Sequence, residues 1–201
     1  MVALLIETSN EYARGIIRGI HEYIKKHTRW TIYLGEYSRG EPRPEWLLSW
    51  KGDGILARIE NRDMADLIIE CGLPVVDLSA ANLIPDIPWV ETDDQAISNL
   101  AVDHLIDCGF KSFGFVETPF NWSKWRGVQF EEKLREKGFQ CHCLKIGRES
   151  KLSWEEEQKK IESWLTEIQK TIGIFYHKSI YSAAYTASRT AHQKINLLYQ
   201  G

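Results

Sequence analysis

The sequence predicts an α/β fold in two lobes, each a parallel sheet with helices on both faces. Three observations carry this prediction. Strand-length apolar runs alternate with stretches of helical periodicity along most of the chain, the pattern of a parallel sheet crossed by helices. The connections are short, and glycine marks several of them, as βαβ crossovers allow. A proline-punctuated break near residues 81–90 divides the chain into two similar units facing a shared cleft, 1–90 and 91–175, with a divergent tail over 176–201.

Residues 2–6 form an apolar run of buried-strand length. Thr8, Ser9 and Asn10 interrupt it, and apolar residues then recur at 16, 17, 20, 23 and 24, which is helical spacing. Thr8 and Glu11 stand three apart and read as a capping box. A strand feeding a helix through a short polar turn sets that turn at the carboxyl end of its sheet, where doubly wound proteins hold ligands. Residues 30–37 alternate as a strand, a loop over 41–46 enters a short helix near Glu45, and 54–59 is a further strand. Residues 61–71 read as a helix that Gly72 ends, with Pro74 beyond it opening a strand over 74–78.

After the break, residues 89–94 contain a short strand. The helix 95–108 is amphipathic, with Ile97, Leu100, Ala101, His104 and Leu105 on one side and Gly109 as its stop. Strands over 112–117, 139–146 and 172–176 alternate with helices over 124–137 and 154–169. Beyond Tyr176 the periodicity fits neither template, and no further strand is expected.

Of the 201 residues 43% are hydrophobic and 26% charged, the composition of a globular chain able to bury a sizeable core. A net charge of −3 gives no clustered basic surface for nucleic acid. No run approaches the ~20 apolar residues of a membrane span, and Glu7 cuts the first apolar run too short for a secretory leader. The expected location is cytoplasmic. Cys141-His-Cys143 invites a metal, but structural zinc wants wider ligand spacing and a second pair, so both thiols are expected on one strand face with no metal bound.

The turn after the first strand has no Gly-x-Gly to cradle a pyrophosphate. It carries Asn10, Tyr12 and Arg14, which hydrogen-bond to and stack on a small polar ligand such as a sugar. Phe120-Asn-Trp-Ser-Lys-Trp-Arg-Gly127 occupies the equivalent place in the second lobe. There Trp122 offers an indole face to a pyranose and Arg126 a fork of donors to vicinal hydroxyls. The same pair admits a structural reading, with Trp122 capping the core and Arg126 bound to a surface glutamate, and the sequence leaves both open. Asp93 and Asp94 start a helix. One is expected to cap it, and a carboxylate there also accepts sugar hydroxyls.

Glu7 and Glu117 each end a strand, but nothing sets two carboxyls at a glycosidase separation. No Gly-x-Ser-x-Gly elbow, Walker loop or dinucleotide fingerprint occurs. The residues point to binding without catalysis and without a cofactor. The charged helix 154–169 is given no function. Alternative readings are a solute-binding protein for sugar uptake and a small sugar-modifying enzyme. The first needs an export signal, and the second an acid–base pair.

The motifs Leu4-Leu-Ile-Glu-Thr-Ser-Asn-Glu-Tyr-Ala-Arg-Gly15, Gly52-Asp-Gly-Ile-Leu-Ala57, Leu73-Pro-Val-Val-Asp77, Val90-Glu-Thr-Asp-Asp94, His104-Leu105 and Asn121-Trp-Ser-Lys-Trp-Arg-Gly127 resemble the sensor part of the xylose operon regulator family over residues 2–175. The resemblance implies a type I periplasmic-binding-protein-like core, related to that of the lactose repressor, joined to a carboxyl-terminal helix-turn-helix pair. It implies a pentose such as xylose as ligand, with Arg14, Asp93, Trp122 and Arg126 at or near the sugar. It also implies a homodimer, for which helices 11–27 and 61–72 could supply the surface. The departures are Tyr176-His-Lys-Ser179, where the family carries an Asp-containing turn, and an end at Gly201. The chain is therefore expected to be truncated, to meet DNA only through a domain it lacks, and to bind sugar poorly and hold together marginally on its own.

Overall fold

The computed structural model describes residues 1–8, 11–27, 29–35, 43–146, 153–168, 171–177 and 194–200, in two units, Met1–Thr92 and Asp93–Gly201. In the first unit, β1 (Val2–Leu5), β2 (Ile32–Leu34), β3 (Gly54–Ala57) and β4 (Val75–Asp77) form one all-parallel sheet in the order β2-β1-β3-β4. Alternation along β1 explains why both faces are covered. Ala3 and Leu5 pack with Ile55 and Ala57 against Leu47 of the 3₁₀ turn Glu45–Ser49 and against Met64, Ala65, Leu67 and Ile68 of α2 (Arg62–Cys71). Leu4 and Ile6 face the other way, onto Ala13, Ile16, Ile17 and Ile20 of α1 (Glu11–Lys26). Helix α2 has both expected ends. Asn61 Oδ1 accepts from Met64 N at 2.9 Å, and Gly72 adopts φ 66°, the left-handed conformation that glycine enters without strain.

The second unit repeats the plan. β5 (Phe113–Glu117), β6 (Cys141–Lys145), β7 (Thr171–His177) and β8 (Lys194–Gln200) run parallel in the order β6-β5-β7-β8. Phe113, Phe115 and Phe175 pack beneath α3 (Asp94–Asp107) and α4 (Asn121–Glu136), through Ala101, Val102, Leu105, Phe130 and Leu134. On the opposite face Val116, Leu144, Ile172 and Ile174 meet Ile161 and Leu165 of α5 (Trp154–Glu167). A full capping box opens α5: Ser153 Oγ accepts from Glu156 N, and Glu156 returns its carboxylate to Ser153 N.

Five expectations need correction. Helix α1 begins at Glu11, which leaves Thr8 too far back to cap it; the capping position and Ser9 lie outside the described residues. Residues 89–94 form no strand, only a single bridge from Trp89 to Asp77. The buried face of α3 is Ser98, Ala101, Val102 and Leu105, while Leu100 is 70% exposed and His104 is exposed. The side facing α4 is chosen by small residues that let two helices approach, and hydrophobicity alone misses it. Helix α4 starts at Asn121, three residues before the expected 124, so Trp122 stands in its first turn and Arg126 one turn further on. Finally, residues 194–200 do form a strand, paired with β7 from Thr171↔Lys194 to His177↔Gln200. Ile195-Asn-Leu-Leu-Tyr199 has strand length and apolar content, but it follows a polar run with no clear helix to announce it. Residues 36–37 and 169 of the expected elements lie outside the described residues.

Candidate functional site

In the first unit, charged side chains gather where strands end. Arg58 follows β3 and its N–H donates to Leu5 O at 3.0 Å, which carries the pairing with β1 one step past the sheet. Its guanidinium donates from Nη1 to Glu7 Oε1 at 3.3 Å and from Nη2 to Glu60 Oε1 at 2.5 Å. The ring of Tyr12 lies 5.2 Å from the guanidinium carbon. Arg58 and Glu7 side chains are 14% and 5% exposed, a depth at which two carboxylates and an aromatic face are needed to hold one cation. The buried Nε–H of Arg58 has no hydrogen-bond partner among the described residues.

Beside this cluster Asp77 ends β4. Its Oδ1 accepts from Ile59 N at 3.2 Å and Ser79 N at 2.9 Å, while Oδ2 is buried with no hydrogen-bond partner among the described residues. Ser79 Oγ donates to Ile59 O at 2.9 Å, locking the loops after β3 and β4 together. Burial pushes the Asp77 carboxyl up from its ordinary value; the Ser79 and Ile59 hydrogen bonds and the Arg58 charge oppose this without cancelling it. The folded chain therefore holds this proton to a higher pH than the unfolded chain, and the group makes stability fall as pH rises above the ordinary aspartate range. Urea unfolding of wild type and Asp77→Asn should show the wild type gaining relative to the variant as pH falls from neutral toward the ordinary aspartate range. A constant difference would remove Asp77 as the titrating group.

The second unit builds its cluster on the first turns of two helices. Asp93 caps α3, its Oδ1 accepting from Ala96 N at 2.8 Å. Asp94, the first residue of the helix, accepts from Arg126 Nε at 2.7 Å, with side chains 12% and 6% exposed. The Arg126 guanidinium carbon lies 4.9 Å from the centre of the Trp122 ring, and Trp122 in turn stacks on Phe120 at 5.7 Å and 10°. Ser98 Oγ donates to the Arg126 carbonyl at 3.1 Å, tying α3 to α4 at this point. Among the described residues, helix α4 begins with no side-chain cap, and just before it Thr118, after β5, has a buried Oγ1 without a hydrogen-bond partner while its N–H donates to Ser123 Oγ at 2.9 Å. A desolvated hydroxyl and an uncapped helix start, together at the carboxyl end of β5, form a polar site that a hydroxylated ligand can complete.

Of the residues expected at a ligand site, the structure groups Trp122 with Arg126, and Tyr12 with the Arg58 cluster. Arg14 is exposed and donates from Nη1 to Thr8 O at 2.9 Å. Asp93 is spent on its cap, and Asp94 is the carboxylate that meets Arg126. Asn10 lies outside the described residues. Arg126 pairs with Asp94 of the neighbouring helix, so the carboxylate of this ion pair is an aspartate. Glu7 and Glu117 are both in ion pairs, with Arg58 and Lys145 respectively. Arg58, Glu60, Asp77 and Thr118 escaped the sequence reading. Their signal was available: each is a polar residue at the end of an apolar strand or one to three places beyond it.

Two all-parallel sheets in successive units, each with its second-placed strand drawn from the start of that unit and helices on both faces, are the layout of type I periplasmic-binding-protein-like regulator cores. Residues 1–95 match the XylR N-terminal domain family. The chain is 22% identical over 182 residues to the xylose operon regulatory protein of Escherichia coli K12, covering 86% of this chain and 46% of that protein. The structure of a xylose-binding transcription activator, xylR, superposes with a TM-score of 0.81 at 19% identity, covering 98% of this chain and 53% of that one. A periplasmic binding protein/LacI transcriptional regulator from Alkaliphilus metalliredigens, complexed with D-xylulofuranose, superposes with a TM-score of 0.67 at 17% identity, covering 98% and 76%. These matches bear out the resemblance that the motifs carry, and the chain spans about half the length of the xylose regulators it matches. The xylose operon regulatory protein and xylR are regulators by name. Among the described residues, no helix is long and apolar enough to cross a membrane.

Proposed function

We propose that this chain is the sugar-sensing part of a cytoplasmic transcriptional regulator, that it binds without catalysing a reaction, and that its effector is a pentose of the xylose type. DNA would be met through a helix-turn-helix domain of the whole protein, acting as a homodimer. One observation carries the reading: the Asp94–Arg126–Trp122 arrangement at the carboxyl end of β5. A buried guanidinium held through Nε by a carboxylate and flanked by an indole is an oriented donor, and oriented donors beside an aromatic face are what a small polyhydroxylated ring requires. The Arg58–Glu7–Tyr12 cluster supplies a second set of oriented polar groups at the strand ends of the first unit. The matched proteins named for xylose, and the structure complexed with a pentulose, support this sugar class.

Titration calorimetry with D-xylose tests the reading, and saturable binding that D-glucose does not reproduce is the expected result. Trp122 should also report the ligand. Its indole already lies against Arg126, so a sugar that engages the guanidinium changes its surroundings and its emission. Trp122→Ala should remove the xylose-dependent fluorescence change, although seven other tryptophans remain. A change of the same size in the variant would take Trp122 out of the site, and a folded protein giving no heat with xylose would overturn the assignment of the sugar.

A further inference from the structure

Cys141 and Cys143 lie outside the site described above, on β6, the edge strand of the second sheet. Two residues apart in one strand, they point to the same face, and their Sγ atoms are 3.7 Å apart. Cys141 is half-buried against the core beneath α3 and α4, and Cys143 is exposed at the sheet rim. Both thiols are free.

The spacing discriminates between two fates for such a pair. Same-face neighbours in a strand have Cα atoms about 6.7 Å apart, beyond the ~5.5–6 Å at which disulfides are most relaxed. Two sulfurs bound to one tetrahedral ion at about 2.3 Å stand about 3.8 Å apart. The strand thus holds the sulfurs at a chelating bite without any backbone change, and resists bringing them to bonding distance. His142 points to the opposite face, and among the described residues no group of three or more His, Cys, Asp and Glu could hold a metal. A closed structural zinc centre is therefore not what the described residues build. Glu131 of α4 acts electrostatically on both sulfurs, and Cys143 also feels Glu117 and, with opposite sign, Lys145.

We propose that Cys141 and Cys143 form an open, two-sulfur site for a soft, thiophilic metal ion, with the remaining coordination positions taken by solvent or a small external thiol. Paired sulfurs with no oxygen or nitrogen ligand select soft ions over calcium or magnesium. Binding replaces two S–H bonds by two metal–sulfur bonds and releases two protons to solvent. The sequence reading set this motif aside because no second ligand pair completes a tetrahedron. An open site needs none.

Cadmium(II) is the probe, added to the reduced 201-residue chain and followed by its sulfur-to-metal charge-transfer absorption. One equivalent is expected to bind, and the band should be lost entirely in Cys141→Ser and in Cys143→Ser while persisting in Cys71→Ser and Cys108→Ser. A band that only halves in each of the first two variants means the sulfurs bind ions separately, and the proposal fails. Loss in Cys108→Ser would move the site to Cys108 and His104, whose Sγ and Nε2 lie 3.6 Å apart, and the proposal fails there too. Phenylarsine oxide gives an independent reading by intact mass, because its stable adduct needs two adjacent thiols. Wild type should gain one adduct and Cys143→Ser, altered at an exposed position, none; an adduct on Cys143→Ser overturns the site whatever cadmium does.

Discussion

Arg126→Ala should reduce D-xylose affinity at least tenfold and lower the stability of the second unit at the same time. A charge-assisted hydrogen bond lost from a desolvated site costs about 1.5–3 kcal/mol, which is at least a factor of ten in affinity. The stability effect has a separate origin. Asp94 and Arg126 side chains are 12% and 6% exposed, so removing the arginine strands a carboxylate that water reaches poorly. Breaking a buried pair in this way costs ~3–5 kcal/mol, and the exposure of Asp94 places this case toward the lower end. Urea unfolding reads the stability effect, and calorimetry under conditions where the variant is folded reads the affinity. Asp94→Asn separates the two, because it keeps the side-chain shape and an oxygen for Nε–H while removing the charge. It should cost less stability than Arg126→Ala and still weaken binding by loosening the guanidinium. Unchanged affinity in both variants would leave the pair as a structural tie between α3 and α4, which Ser98 Oγ on the Arg126 carbonyl already resembles.

The sheets were legible because their strands are short apolar runs between clear stops. Leu4 and Ile6 on one face, with Ala3 and Leu5 on the other, announce a strand covered on both sides, and Gly72, Gly109 and Gly138 mark helix ends with φ of 66°, 87° and 80°. The site was legible only in part. Trp122 and Arg126 stand four apart in one motif, so their meeting follows from helical spacing once α4 is known to begin at Asn121. Asp94 could be named at a helix start, but nothing local says that it, rather than Asp93, turns toward Arg126. That choice depends on Asp93 spending its carboxylate on Ala96 N. Arg58 and Glu7 follow β3 and β1, Tyr12 stands in α1, and the parallel pairing of β1 with β3 brings them together. Contacts made by topology leave no pattern in a linear reading.

Gly127, the one glycine of α4, sets how closely that helix sits on β5, and its substitution should damage the second unit. A Cβ built there would lie 2.7 Å from Phe115 Cε1 and 3.1 Å from Cδ1. Phe115 is fully buried and cannot retreat, since its ring meets Phe130 at 5.9 Å and Phe175 at 5.7 Å between centroids. Helix α4 must therefore lift from β5, and Arg126, the preceding residue, lifts with it. Overpacking of this kind costs about 1–3 kcal/mol, against which alanine regains about 1 kcal/mol of helix propensity. Gly127→Ala should thus be neutral to destabilising, and Gly127→Val, which keeps the clash without the full propensity gain, should lose about 2–3 kcal/mol and weaken xylose binding with it. Gly19 in α1 is the internal control: a Cβ there meets nothing within 4 Å, so Gly19→Ala should stabilise by about 0.5–1 kcal/mol through propensity and unfolded-state entropy alone. If Gly127→Ala stabilises the protein as much as Gly19→Ala does, α4 is not seated on Phe115 and the placement of Arg126 at the end of β5 loses its support.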